Sequence, residues 1–114
     1  MKNTIKSTAE IEDIFKSGRR YNSKSVIIIA LKNEGGRGQG GRVAFIAGKK
    51  LGSAPQRNYA KRVMRQIVSE IDIKRLTDKG YRIVFMAKKG IFEEDYLRTK
   101  KSILDLVEKM EKDE

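Results

Sequence analysis

Apolar residues recur at two periods along this chain, and the period separates helices from strands. Ile11, Ile14 and Phe15 share one face of a helix predicted over Ser7 to Lys16. Ser7 and Glu10 stand at capping-box spacing, and Gly18 supplies the stop. Ser25 to Leu31 (Ser-Val-Ile-Ile-Ile-Ala-Leu) is β-branched and almost wholly apolar, the pattern of a strand buried on both faces. Arg42 to Gly48 reads as a second strand of the same kind. Gln56 to Ile71 is the best-defined helix, with Ala60, Val63, Met64, Ile67 and Ile71 in one narrow apolar stripe. Ser53-Ala54-Pro55-Gln56 opens it with another capping-box spacing, and proline is tolerated in a first turn. A polar connection from Asp72 to Gly80 leads to a third strand, Tyr81 to Ala87. That crossover is long enough to lay the third strand parallel to the second. A last helix starts near Glu93, with Tyr96, Ile103, Leu104 and Val107 facing inward.

This succession predicts an α+β protein, an α/β two-layer sandwich, built as a single domain over residues 1–114. Residues 35–41 form a glycine-rich, flexible connection between the first two strands. A glycine run that cradles phosphate must open a helix, whereas this one leads into a strand, so the plain reading is a hairpin loop. No internal repeat is visible.

Charge changes the picture more than length does. The chain has 26 Lys and Arg against 15 Asp and Glu, a net charge of +11, and a field of that sign gathers polyanions. Nucleic acid leads as the partner class, with an anionic membrane surface as its rival. No apolar run approaches the roughly 18–20 residues that span a bilayer, and the start Met-Lys-Asn-Thr lacks the apolar stretch of a signal peptide. The expected location is the cytoplasm. There is no Cys and no His, which removes thiol nucleophiles, zinc ribbons and the commonest general base. A nuclease built on this chain has only carboxylates and Mg²⁺ to work with.

The basic residues are concentrated. From Arg42 to Arg65 the charged residues are Arg42, Lys49, Lys50, Arg57, Lys61, Arg62 and Arg65, with no acid among them. On the central helix Arg57, Asn58, Lys61, Arg62 and Arg65 fall in one arc opposite the apolar stripe. Arg57, Lys61 and Arg65 stand at successive i, i+4 steps, where like charges repel by a few tenths of a kcal/mol per pair. A solvated face usually interleaves glutamates; this one does not. A polyanion relieves the repulsion and releases counterions on binding, so affinity falls steeply with salt. The N–H groups at the helix start, beside Lys49, Lys50 and Arg57, offer a further phosphate site. RNA is preferred over duplex DNA because no helix-turn-helix pairing is visible.

The segment Gly48-Lys49-Lys50-Leu51-Gly52-Ser53-Ala54-Pro55-Gln56-Arg57-Asn58-Tyr59-Ala60-Lys61-Arg62-Val63-Met64-Arg65 resembles the signature of the bacterial ribonuclease P protein component. That signature reads approximately Ser-Lys-Lys-x-Gly-x-Ala-x-x-Arg-Asn-Arg-x-Lys-Arg-x-x-Arg. Ile14 to Gly18, Arg42 to Phe45 and Tyr96 to Leu106 resemble further parts of the family, so the likeness spans nearly the whole chain. The resemblance implies the order α-β-β-β-α-β-α, like the second domain of ribosomal protein S5, with a left-handed βαβ crossover against the usual right-handed rule. It implies two partners, the catalytic RNA of ribonuclease P and the 5′ leader of precursor tRNA, and no dedicated protein partner. The RNA and its Mg²⁺ ions, held mainly by the RNA, perform the cleavage; no catalytic or metal-binding residue is expected on the protein. Lys49, Lys50, Arg57, Asn58, Lys61, Arg62 and Arg65 match motif positions and are the expected RNA-binding residues. Phe15, Arg42, Tyr59, Lys88 and Lys89 are the expected leader-cleft or secondary RNA contacts, Phe15 through stacking in the cleft. Gly52 serves the turn.

Departures from the family pattern are informative. Tyr59 stands where the second arginine of Arg-Asn-Arg is usual, and Gly48 replaces a serine. Pro55 is uncommon, and Ile11 and Ile29 occupy places where relatives often carry aromatics. Two other readings remain open from sequence: a ribosomal or general structured-RNA-binding protein, and a protein-only nuclease. The nuclease would rest on Glu10, Glu12 and Asp13, or on Glu93, Glu94 and Asp95, which a helix dipole explains better.

Overall fold

Four strands and four α-helices make up the computed structural model, which describes residues 8–32 and 42–113. In chain order they are α1 (Thr8–Ser17), β1 (Arg19–Asn22), β2 (Val26–Lys32), β3 (Val43–Ile46), α2 (Ala54–Glu70), the single-turn α3 (Lys74–Thr77), β4 (Tyr81–Ala87) and α4 (Tyr96–Lys112). Apart from α3, this is the α-β-β-β-α-β-α order. Two 3₁₀ turns, Lys49–Leu51 and Lys89–Phe92, lead out of β3 and β4. Ser7 and the glycine-rich run 35–41 lie outside the described residues.

The sheet runs β1-β2-β4-β3, so the last strand in sequence is a central one in space. β1 and β2 form an antiparallel hairpin, β2 pairs antiparallel with β4, and β3 pairs parallel with β4 in the register Phe45↔Phe85. One face of β2 and β4 is covered and most of the other is, which is why these strands read as near-continuous apolar runs. One face packs Ile28, Ile83 and Phe85 against Ala60, Met64, Ile67 and Val68 of α2, Leu76 of α3, and Ile103, Leu106, Val107 and Met110 of α4. On the other face Ile29, Val84 and Ala44 meet Ile14 of α1.

Several local expectations are revised. Strand β1 was not visible in the pattern: of its four residues only Tyr21 is buried, and the strand exists because its backbone pairs with β2. The last helix begins at Tyr96 rather than near Glu93, because Asp95 accepts a hydrogen bond from the Arg98 N–H at 2.8 Å and so caps it there. Leu104 does not face inward but is 42% exposed. It lies about 100° round the helix from Ile103, while Thr99, Leu106, Val107 and Met110 complete the buried stripe. Gly18 ends α1, its N–H bonding the Ile14 carbonyl at 2.7 Å. A Cβ there would lie 2.6 Å from that same oxygen.

Candidate nucleic-acid interface

Helix α2 starts where Ser53 and Gln56 cap each other: the Gln56 N–H donates to Ser53 Oγ at 3.4 Å, and the Ser53 N–H donates to Gln56 Oε1 at 2.8 Å. Gly52 precedes them at φ +153°, where a side chain would collide with the Gln56 amide, so this glycine belongs to the turn. The cap also changes the expected phosphate site. Gln56 spends its N–H on Ser53 and Pro55 has none, so the helix start is largely satisfied from within.

What remains for an anion is the side-chain surface. Ala60, Met64, Ile67 and Val68 anchor one side of α2 in the core. Arg57 and Lys61 stand half-buried at the flank, and Asn58, Arg62 and Arg65 are exposed. Lys49 and Lys50 are exposed on the 3₁₀ turn just before the helix. The structure thus brings all seven residues of the expected set onto α2 and the turn leading into it. Arg65 lies over the Phe45 ring, 5.7 Å from guanidinium carbon to centroid, and Phe45 stacks on buried Phe85 at 5.5 Å. The core therefore props up the last cation of the arc. The Nε of Arg57 is buried without a hydrogen-bond partner.

The single acid of α2, Glu70, sits at its far end. Hydrogen bonds from Gln66 (2.9 Å), Tyr96 (2.8 Å) and Lys100 (3.1 Å) hold its carboxyl down to about 2. Desolvation, with the bond to Glu70 second, pushes the Tyr96 phenol up to about 12. This knot ties the end of α2 to the start of α4 and keeps the one carboxylate occupied.

A second surface opens on the opposite face of the sheet. Helix α1 covers the row Ile29–Val84–Ala44 but leaves the neighbouring row Asn22–Ile27–Met86–Ile46 partly open. Ile27, Met86 and Ile46 are half-buried there, as is Phe15 beside them. The Arg20 guanidinium lies 6.0 Å from the Phe15 centroid, and Arg20 donates to the Phe15 carbonyl at 3.4 Å. Ile29, by contrast, is fully buried under α1 and offers no surface. The strip is apolar, with Phe15 as its ring.

Other expected contacts have structural employment. Lys88 Nζ donates to Asn22 Oδ1 and the Ser23 carbonyl, both at 2.7 Å, tying the end of β4 to the β1–β2 turn. Lys89 is exposed. Arg42 pairs with Glu10 at 3.4 Å, and Arg82, only 17% exposed, pairs with Glu10 and Asp13 at the same distance. These bonds clamp α1 to the sheet, and they engage two of the three α1 carboxylates that a nuclease would need. Among the other three, Glu93 pairs with Lys24 at 3.1 Å and Asp95 caps α4. Among the described residues, no group of three or more Asp or Glu side chains is placed to hold a metal ion.

Sequence reasoning passed over Arg20, Ile27, Ile46 and Met86 of the strip, and also Arg82 and Phe92. Arg82 carried a signal, a lone cation in an otherwise apolar strand facing the acids of α1. Phe92 carried none: it lies beside Tyr59 through tertiary packing, with ring centroids 6.1 Å apart.

A small α+β domain with one acid-poor basic helix and, across the sheet, a half-open apolar strip has the make-up expected of a nucleic-acid-binding class of protein. The Ribonuclease P family model matches residues 1–111, so the chain belongs to the Ribonuclease P family. It is 31% identical over 103 residues to the ribonuclease P protein component of Bacillus mycoides, covering 90% of this chain and 86% of that one. With the component from Fusobacterium nucleatum it shares 34% identity over 91 residues, 80% of this chain and 78% of the relative. The fold matches the RNase P protein of Staphylococcus aureus with a TM-score of 0.75 at 22% identity, covering 95% and 94% of the two chains. The Thermotoga maritima RNase P protein gives a TM-score of 0.69 at 23% identity, with coverages of 90% and 93%.

Proposed function

We propose that this chain is the accessory subunit of ribonuclease P, binding the catalytic RNA through α2 and the 5′ leader of precursor tRNA along the open strip beside α1. The observation that carries this reading is the arc Arg57, Lys61, Arg62 and Arg65, which among the described residues forms no ion pair with a carboxylate, on a helix whose only acid is occupied elsewhere. Such an arc costs the isolated helix stability and is relieved by a phosphate backbone. Phe15, Ile27, Met86 and Ile46 form a shallow apolar floor on which bases of a single strand can rest. Arg20 at one edge supplies charge for its phosphates.

The chemistry belongs to the RNA. Mg²⁺ is held mainly by RNA phosphates, and the protein contributes by neutralising charge where RNA and leader converge. The complex works in the cytoplasm. Its test is cleavage of a precursor tRNA at low Mg²⁺ by bacterial ribonuclease P RNA, with and without this protein. Restored cleavage at the mature 5′ end, with no cleavage by the pure chain, is the expected result. Tight RNA binding without any gain in cleavage would instead favour a ribosomal or general structured-RNA-binding role, and co-sedimentation with ribosomal subunits would decide for it.

A further inference from the structure

Two large rings stand in the open at the edge of the basic surface. Tyr59 and Phe92 are 42% and 36% exposed, with ring centroids 6.1 Å apart and planes 26° from parallel. Their positions are held from below. Phe92 ends the 3₁₀ turn Lys89–Phe92, whose Ile91 is buried in the core and whose Gly90 lies against the Lys24 carbonyl too closely for any Cβ. Tyr59 sits on the second turn of α2, next to buried Ala60.

Cations flank the pair on both sides. The Arg62 guanidinium carbon lies 5.9 Å from the Tyr59 centroid. Lys89 precedes Phe92 by three residues, the spacing that puts side chains on one side of a 3₁₀ turn, and it is exposed. The nearest acid in sequence, Glu93, is drawn to Lys24 at 3.1 Å. Tyr59 itself stands where the signature it resembles carries a second arginine, so this chain presents a flat ring in place of a charge.

We propose that Tyr59 and Phe92 form a stacking platform for an unpaired base of the ribonuclease P RNA, with Arg62 and Lys89 meeting the phosphates on either side. The proposal rests on the reading that this chain binds that RNA. It commits to the catalytic RNA rather than the leader because Tyr59 projects from the same helix as the basic arc, whereas the leader strip lies across the sheet. Stacking tolerates any base, since each has a π-face.

The experiment measures Kd for a bacterial ribonuclease P RNA transcript over a salt series, using wild type, Tyr59→Leu, Phe92→Leu, the double variant and Tyr59→Trp. Each leucine variant is expected to bind about 5- to 100-fold more weakly. The double variant should lose less than the product of the two, because both rings serve one base. Tyr59→Trp keeps the affinity. The slope of log K against log salt stays unchanged in all, since no phosphate contact is removed, whereas Arg62→Ala lowers it by about 0.9. Both rings are exposed, so thermal melts of the leucine variants should match wild type. Wild-type affinity in both leucine variants would overturn the platform, as would a loss seen only with leader-bearing precursor tRNA. A change in self-association without a change in RNA affinity would also overturn it, marking a protein contact instead. If wild type itself fails to prefer ribonuclease P RNA over an unrelated folded RNA, the underlying subunit reading fails, and that outcome is distinct from these.

Discussion

Replacing Arg57, Lys61 and Arg65 together by alanine separates the RNA contact proposed for α2 from what the helix does for the fold. On the binding side, each phosphate neutralised on duplex RNA releases about 0.9 of a counterion, which is worth about 1 kcal/mol at 0.15 M salt. Three such contacts amount to about 3 kcal/mol, roughly 150-fold in Kd. The salt slope should fall by about 2.7 at the same time. On the folding side the terms are small and oppose one another. Two i, i+4 repulsions disappear, and so does an Arg57 Nε that the fold buries without a partner. Against these gains stands the loss of Arg65 from the Phe45 ring, worth about 0.5–1 kcal/mol at an exposed site. Stability should therefore stay within about 1 kcal/mol of wild type, a thermal midpoint shift of at most about 5 °C. Filter binding across a KCl series reads the first effect and a thermal melt the second. The same charge removed from the outside of α4, by alanine at Lys101, Lys109 and Lys112, serves as the control. If that control loses as much affinity and slope as the α2 variant, the basic arc has no special part in RNA recognition. An α2 triple that binds like wild type refutes the reasoning directly.

Other consequences are open to measurement. Glu70 is ionised in the fold down to about pH 2, against an ordinary 4.5, so its hydrogen bonds support the native state above 4.5 and are lost as pH falls through 2. Glu70→Gln should flatten the pH dependence of stability across that window, read by urea unfolding at successive pH values. Tyr96 works with the opposite sign: its raised pKa of about 12, against 10, gives stability that is complete below pH 10 and lost as pH rises through 12. Tyr96→Phe should remove that alkaline dependence, read by the same unfolding series. Gly90→Ala should destabilise by about 1–3 kcal/mol, because the new Cβ would meet the Lys24 carbonyl carbon at 2.7 Å, while Gly48→Ala, with nothing within 4 Å, should be close to neutral by denaturant midpoint. Phe85→Ala should cost about 3–5 kcal/mol, since Phe85 is fully buried and stacks on Phe45.

The elements that a strong period or a local cap specifies were legible in the chain. Helix α2 follows from its apolar stripe and its Ser53–Gln56 box, and β2 and β4 from their unbroken apolar runs. Elements that exist through partners were not. Arg19-Arg20-Tyr21-Asn22 has no strand pattern of its own and is ordered by β2. Leu104 drew attention as one more leucine, but the buried stripe of α4 had already been filled by Ile103 and Val107. The site divides the same way. The basic arc could be read from spacing along one helix, whereas the engagement of Lys88 by Asn22, of Arg42 by Glu10 and of Tyr59 by Phe92 depends on segments brought together by the fold.

The position of β4 bears on how the protein is made. Residues 81–87 are the seam of the sheet, yet they emerge from the ribosome after β1, β2, β3 and α2 have all been synthesised. Until then β2 has only a hairpin partner, and a lone hairpin is marginal in water. β3 has no neighbour, because its pairing partner is β4. The nascent chain thus carries two apolar strands with open edges, the kind of surface that invites wrong pairing between chains. A product that stops short of Tyr81 should aggregate or be degraded rather than retain partial function.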